Sequence, residues 1–307
     1  MNRCIYYQKV MLGRTEAGDA HLRSSREHII FNALGGPHGL VTEDVCKGCN
    51  SKLGDGIDAA FLSEDIIVIL RQMHALPGYS GKVPDLTAPA TSIQTGDTHR
   101  MRISPDGPVN FLRNPERSES VDGKGRAVFQ LSGDRDQLQK IPSGMQEKYK
   151  KKGLSLSELD GTPITDLDAS IDQAPRAESR ELKVLHTLNI ETLHRGLIKT
   201  AFNFALVVLG EKWTFGPDGL RLRDAVRGEV SGAEIQAMIL QLKPEFRDYL
   251  PLSPPLAKDE HVIILCLSQQ LVLISLLGEA LLSVAVKLET PSVVLERAVS
   301  ESGKMLV

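Results

Sequence analysis

Apolar residues recur at helical spacing in two stretches of the chain. The first covers residues 60–74, and the second covers residues 187–210. In the second stretch Leu193, Leu197, Ala201 and Phe204 fall on one face, and Gly210 is a residue type that commonly follows a helix end. This periodicity predicts an amphipathic helix in each stretch.

Shorter apolar runs predict strands. Strands are expected at 98–103 and 127–131, and two or three successive buried strands at 262–267, 271–277 and 280–286. Polar residues and Glu279 separate the last three runs. A membrane-spanning helix needs about 20 predominantly apolar residues, so we expect no membrane span here.

The remaining sequence predicts connections and a division into parts. Residues 133–152 are polar and lysine-rich and predict a helix, whereas 153–180 and 251–255 predict surface loops. We expect an α+β protein with a compact N-terminal module (1–65), an irregular or β linker region (66–125) and a larger mixed α+β C-terminal domain for recognition or an accessory role (126–307). The first ten residues lack the apolar core of a signal peptide, so the expected compartment is the cytoplasm.

Composition narrows the function classes. The 307 residues are 41% hydrophobic and 24% charged, which is typical of an ordinary soluble globular protein. Lys and Arg number 36 against 39 Asp and Glu, giving a net charge of −3. A nucleic-acid partner would therefore need a local basic face. Two basic groups are equally consistent with solvated surfaces and with phosphate contacts: residues 148–152, and the set Arg195, Lys199, Arg221, Arg223 and Arg227.

Three of the four cysteines lie within the first fifty residues. Cys46 and Cys49 have the spacing of a metal-binding knuckle, and Cys4 begins what would be a second pair. Residue 7, where the partner of Cys4 is expected, is a tyrosine. The fourth zinc ligand is therefore left open between His21 and water, or the ion is lost. The fourth cysteine, Cys266, lies in an apolar strand pattern and is expected to be buried.

A carboxylate and an imidazole stand side by side at Glu27 and His28, before Ile29 and Ile30. An oxygen ligand can hold Mg²⁺, which stabilises charge on a phosphoryl group, and an imidazole can deprotonate an attacking water. Asn50 follows Cys49 and offers an amide oxygen as a second ligand. The set favours metal-assisted hydrolysis of a phosphodiester.

These residues resemble the HNH endonuclease family, and more closely its branch with E-H-I-I-P-x-x-L-G-G followed by C-x-x-C-N. The matching residues are 27–36 and 46–50, and downstream Gly54, Ile57, Asp58, Phe61 and Leu62 also resemble that branch. The resemblance implies a ββα-metal fold with His28 as general base. It further implies that Glu27 and Asn50 hold a catalytic Mg²⁺ or Mn²⁺, and that Cys4, Cys46 and Cys49 hold a structural zinc. His38, shortly after the Gly–Gly turn, would contact phosphate or metal.

Three departures from that branch leave alternatives open. Tyr7 replaces a cysteine, Phe31 replaces a proline, and Val41 stands where the middle asparagine of the family is expected. The first hypothesis is a metal-dependent endonuclease acting on nucleic acid, with DNA as the expected substrate. The second is an HNH-fold nucleic-acid-binding module that has lost catalysis. The third is a zinc-knuckle adaptor with protein partners. A homo-oligomer or an unidentified protein partner is also left open.

Overall fold

The computed structural model describes residues 3–93, 98–105, 110–112, 116–121, 127–132, 182–184, 186–243 and 260–302, with a few isolated positions between them. Most of the predicted helix at 133–152, the predicted loop at 153–180 and the predicted loop at 251–255 lie outside these residues. By its pattern of internal contacts the chain divides into two compact units. One comprises Met1–Val83 and Leu188–Val307, and the other comprises Pro84–Thr187.

The N-terminal part of the first unit is a two-stranded antiparallel sheet followed by short helices. Its elements are β1 (Ser24–His28), β2 (Val41–Cys46), α1 (Lys47–Leu53), a π-helical turn (Gly54–Asp58), α2 (Ala59–Ser63) and α3 (Asp65–Met73). The register shifts between Ser25 and Glu27: β1 has one residue there, Arg26, and β2 has two, Glu43 and Asp44, so the extra residue lies in β2. A shift of this kind re-aims the side chains that follow it, here Glu27 and His28.

The Gly–Gly turn between the two strands depends on both glycines. Gly35 has a φ of +81°, a conformation that L side chains rarely adopt. A Cβ on Gly36 would lie 2.6 Å from the carbonyl oxygen of Ile30. The turn therefore brings the chain back so that Val41 lies opposite His28 at the start of β2.

The second unit is built from strands in the residues that the structure describes. They are β3 (Leu86–Ser92), β4 (Thr98–Ile103), β5 (Asn110–Leu112), β6 (Glu116–Val121), β7 (Ala127–Ser132) and β8 (Leu182–Val184). Four of them form an antiparallel sheet in the order β5-β4-β3-β8, and β6 pairs with β7.

The C-terminal part of the first unit combines helices with a four-stranded antiparallel sheet. Its elements are α4 (Ile190–Thr214), α5 (Pro217–Arg227), α6 (Gly232–Met238), β9 (Ile239–Gln241), β10 (Val262–Cys266), β11 (Leu271–Ser275), β12 (Ser283–Lys287) and α7 (Ser292–Ser302). The strand order is β10-β11-β12-β9. Because α4 carries sixteen buried residues, it is the central helix of this unit.

The sequence-based division into three parts differs from this arrangement. Apolar residues of β2, α2 and α3 form one continuous core with those of α4 and of the C-terminal sheet. The reason lies in α4, which packs against the N-terminal segment on one side and against α5, α6 and the sheet on the others. Residues 1–65 are consequently part of a larger unit that also contains the C-terminal third of the chain.

Most predicted elements are present, with three differences. The helix expected at 60–74 is two helices, because Glu64 has an extended ψ of 132° between α2 and α3. The helix expected at 187–210 continues to Thr214 through a kink at Gly210, whose φ is +78°. The apolar run at 280–286 begins with a 3₁₀ turn before β12. Across the described parts of the chain, no helix has the length and apolar character that crossing a membrane requires.

Candidate functional site

Three cysteine thiols meet at the junction of the N-terminal loop, β2 and α1. The sulfur atoms of Cys4, Cys46 and Cys49 all lie within 4.8 Å of one another. The backbone N–H groups of Tyr7 and Cys46 each donate to Cys4 Sγ across 3.4 Å. The side-chain hydrogen bond from Cys49, and after it these backbone bonds, lower the pKa of Cys4 to about 5 against the opposing effect of burial. Three thiols converging around a stabilised thiolate fit a zinc or similar metal site.

Neither Tyr7, which replaces the expected cysteine, nor His21, the candidate fourth ligand, belongs to the thiol cluster. Tyr7 is 47% exposed, and its ring centroid lies 4.5 Å from the ammonium of Lys9. His21 is exposed but close to the knuckle, since a Cβ on Gly48 would lie 3.7 Å from His21 Nδ1. Cys266 is half-buried in β10 and belongs to no metal-binding group in the residues that the structure describes.

His28 lies at the end of β1, and its side chain is partly exposed to solvent. Its ring centroid lies 6.5 Å from that of His38, and the two rings are edge to face. Burial, followed by positive charge at His38, Lys199 and Arg26, lowers the pKa of His28. Because the imidazole is then neutral at pH 7, it can accept a proton. The structure therefore places His38 beside His28.

Asn50 in α1 is fixed against β1. Its side-chain Nδ2 donates to Ser25 Oγ across 2.8 Å and to the Arg26 carbonyl oxygen across 2.7 Å. Both amide hydrogens are used in these bonds, so Oδ1 is the atom left to face a cation. The helix begins within the cysteine knuckle, so a metal bound there would also hold Asn50 in place relative to β1.

Glu27 lies in a buried charge cluster. Its Oε1 lies 2.5 Å from Lys199 Nζ, which also lies 2.6 and 2.7 Å from the two carboxylate oxygens of Asp58. The exposed fractions of the Glu27, Lys199 and Asp58 side chains are 5%, 3% and 19%. Burial raises the pKa of both carboxyl groups, and Lys199 opposes that rise. We call these three residues the Lys199 cluster.

Further polar contacts join α4 to β1, and both α4 and α5 to Tyr6 in the N-terminal loop. Asn203 Nδ2 donates to the His28 carbonyl oxygen across 3.5 Å, and Asn203 Oδ1 accepts from the Tyr6 hydroxyl at 2.7 Å. Burial, followed by the charges of Glu27 and Asp58, raises the pKa of Tyr6 far enough to keep that hydroxyl protonated. Arg227 donates to the Tyr6 carbonyl oxygen at 3.0 Å. The C-terminal helices are thus part of the environment of Glu27 and His28.

The structure also gives two of the sequence departures a role. Phe31 stacks on Phe61 with ring centroids 4.5 Å apart, and Lys199 Nζ lies 4.9 Å from the Phe31 ring centroid. A proline at position 31 would lack this contact. Val41 pairs with His28 across β1 and β2, so the position expected to carry an asparagine is adjacent to the candidate base.

The basic residues of α4 and α5 are engaged within the protein. Arg195 donates to the Ala225 and Val226 carbonyls, Arg221 to the Lys287 carbonyl and Arg227 to the Tyr6 carbonyl. Arg223 pairs with Asp224, and Lys199 with the two carboxylates of its cluster. These contacts support a structural role for this basic group. Of residues 148–152, most lie outside those described.

Sequence reasoning left Lys199 open between a solvated surface and a phosphate contact, and gave Asp58 only a place in the motif. Asp58 stands in the stretch that resembles the HNH branch, which was a usable signal. The signal for Lys199 is a lone lysine within the run Leu197–Phe202 of an apolar helix, where burial of an ammonium requires a carboxylate partner. Nothing local in the sequence identifies that partner as Glu27.

The comparisons with known proteins agree with the motif. No curated protein and no solved structure matches the chain. Residues 14–65 match the family model described as HNH endonuclease. That range contains both strands, α1 and α2, together with Glu27, His28, His38 and Asn50. The match supports a nuclease or nucleic-acid-related function. The matched segment has a ββα arrangement and lies beside a cysteine cluster that could bind a metal.

Proposed function

We propose that the protein is a metal-dependent endonuclease that hydrolyses phosphodiester bonds in nucleic acid, with DNA as the expected substrate. The observation that carries the proposal is the placement of His28. It stands at the end of β1, half-buried and with a lowered pKa, beside His38 and near the α1 helix that holds Asn50. A general base needs a neutral imidazole that a water molecule can reach.

Each side chain takes one role in this proposal. His28 accepts the proton of the attacking water, and His38 contacts a phosphate oxygen or the metal. Asn50 Oδ1 and the Glu27 carboxylate supply oxygen ligands. Oxygen donors are the chemistry that Mg²⁺ and Mn²⁺ select, and the Lys199 cluster carries two carboxylates against one ammonium. The donor set therefore fits a hard divalent cation.

A bound Mg²⁺ or Mn²⁺ would stabilise negative charge on the phosphoryl oxygens and on the leaving oxygen. Around it, the chain fixes its own groups. The hydrogen bonds from Asn50 hold α1 on β1, and Asn203 holds the backbone of His28. Zinc at Cys4, Cys46 and Cys49 would act as a scaffold, because α1 begins within that knuckle.

A second candidate function is nucleic-acid binding without catalysis. The observation that favours it is the ion pair between Glu27 and Lys199, which occupies the carboxylate that the family uses as a metal ligand. In this candidate the buried lysine replaces the divalent cation, and the module retains only its fold.

Nicking of supercoiled plasmid separates the two candidates. The endonuclease proposal expects the wild-type protein to convert supercoiled into nicked plasmid with Mg²⁺ or Mn²⁺ and to stop when the ion is chelated. The matched pair of variants is Asn50→Ala, expected to lose activity, and Asn32→Ala, in the loop after the strand, expected to keep it. Salt-dependent DNA binding with no nicking under either ion would support the second candidate and contradict the first.

A further inference from the structure

The Lys199 cluster connects two parts of the chain that the HNH match does not join. Glu27 lies in β1 and Asp58 in the turn before α2, whereas Lys199 lies on α4, outside residues 14–65. One ammonium holds both carboxylates at 2.5–2.7 Å, and all three side chains are buried or nearly so. An interaction this closely packed fixes the orientation of Glu27.

The same face of α4 also holds the neighbouring residue. Lys199 and Asn203 are four residues apart in the helix, and so they lie one above the other on one face. Lys199 pairs with the Glu27 side chain, and Asn203 bonds to the His28 carbonyl oxygen. The helix α4 therefore holds the Glu27–His28 dipeptide at two points, the Glu27 side chain and the His28 backbone.

We propose that Lys199 and Asp58 are positioning residues for the reaction: they hold the Glu27 carboxylate where it takes part in binding the divalent metal. The inference rests on the proposed function. Lys199 acts through Glu27, and Asp58 acts through Lys199 by holding its ammonium with both carboxylate oxygens. Because of these contacts, α4 belongs to the catalytic unit.

The opposite reading makes a different prediction. If Lys199 only competed with the metal for Glu27, its removal would free the carboxylate and strengthen metal binding. If Lys199 positions Glu27, its removal leaves two carboxylates facing each other without the ammonium that fixes them. Metal binding then weakens, because partners that orient a metal ligand are typically worth ~10–100-fold in metal affinity or activity.

The test is the affinity for Mn²⁺, measured by electron paramagnetic resonance on zinc-loaded, full-length protein. Lys199→Met is expected to weaken Mn²⁺ binding by ~10–100-fold. Lys199→Arg keeps the charge and is expected to recover part of that loss. Lys243→Met removes a charge from an exposed lysine and is expected to bind Mn²⁺ like the wild type.

Glu27→Gln separates this inference from the proposed function. If Glu27→Gln binds Mn²⁺ as tightly as the wild type, the assignment of Glu27 as a ligand is wrong. If Glu27→Gln weakens binding but folded Lys199→Met leaves it unchanged or strengthens it, the positioning role is overturned while the proposed function stands. Should Lys199→Met fail to unfold cooperatively on heating, Asp58→Asn takes its place, with weaker Mn²⁺ binding expected and unchanged binding contradicting the role.

Discussion

His261 in the C-terminal part of the chain is hydrogen-bonded to Leu34 in the E-H-I-I-F-N-A-L-G-G motif. Its Nδ1 accepts from the Leu277 N–H at 3.3 Å, so Nε2 carries the proton and donates to the Leu34 carbonyl oxygen at 2.9 Å. The bond from Leu277 needs the neutral imidazole, because a protonated Nδ1 cannot accept, whereas Nε2 donates to Leu34 in either protonation state. The loop after His28 is therefore held by the segment that leads into β10.

This bond predicts a pH dependence of stability. Burial, partly opposed by the bond to Leu34, lowers the pKa of His261 in the folded protein. The unfolded chain then binds more protons below pH ~6.5, so the free energy of unfolding falls as the pH drops from about 6.5 through the folded pKa.

The variant for this prediction is His261→Gln, whose amide can form both bonds but does not titrate. Denaturant unfolding between pH 7.5 and pH 5 should show a shallower loss of stability in the variant than in the wild type. Some loss remains in the variant, because burial also lowers the pKa of His28 and of His194. Equal slopes for the two proteins would show that His261 does not contribute.

The thiol cluster predicts a bound zinc ion. Purified wild-type protein is expected to contain about one zinc per chain by elemental analysis, since three thiols converge on one point. Cys4→Ser should lose the metal and unfold at a lower temperature, because ligand binding to the folded state adds to stability. Cys266→Ser is the matched control, because that thiol lies in β10, apart from the cluster. Zinc-free wild-type protein, or full zinc content in Cys4→Ser, would contradict the assignment.

The packing of α4 on α2 predicts a large effect of one methyl group. A Cβ on Gly196 would lie 2.3 Å from a ring carbon of Phe61, which itself stacks on Phe31. Gly196→Ala should therefore lower the free energy of unfolding by about 1–3 kcal/mol, the usual cost of overpacking a core.

Gly54→Ala is the control for that packing prediction. Gly54 has helical dihedral angles, and nothing lies within 4 Å of its Cβ position. Its replacement should raise stability by about 0.4–1 kcal/mol, because alanine reduces the freedom of the unfolded chain. Equal effects of the two substitutions in denaturant unfolding would show that the contact between Gly196 and Phe61 is not tight.

The sequence was most informative where the chemistry is local. The knuckle at Cys46 and Cys49, the strand that ends at His28 and the helix through Leu197 each follow from spacing within a short window. Contacts between residues far apart in the sequence could not be predicted from such spacing. Lys199 and Asp58 are separated by 141 positions, and Asn203 and His28 by 175. Hydrophobic periodicity shows that a helix has a buried face, but it does not show which strand that face covers.

The same limit explains the domain division. Residues 1–65 carry a complete motif, and so they look like an independent module in the sequence. Ile5, Phe61 and Ile67 are nevertheless fully buried in a core shared with α4. The chain leaves this unit after Val83 and returns to it at Leu188, and a pattern read along the sequence does not reveal such a return.

The central claim is that His28 is the general base of a metal-dependent nuclease. Its most direct test is the initial rate of plasmid nicking in Mg²⁺ by the wild type and by His28→Ala, with His186→Ala as a control in the other unit. A positioned general base typically contributes ~10²–10⁴-fold to a rate, so His28→Ala is expected to lose that factor while unfolding cooperatively like the wild type. Nicking by a folded His28→Ala variant at the wild-type rate would contradict the claim.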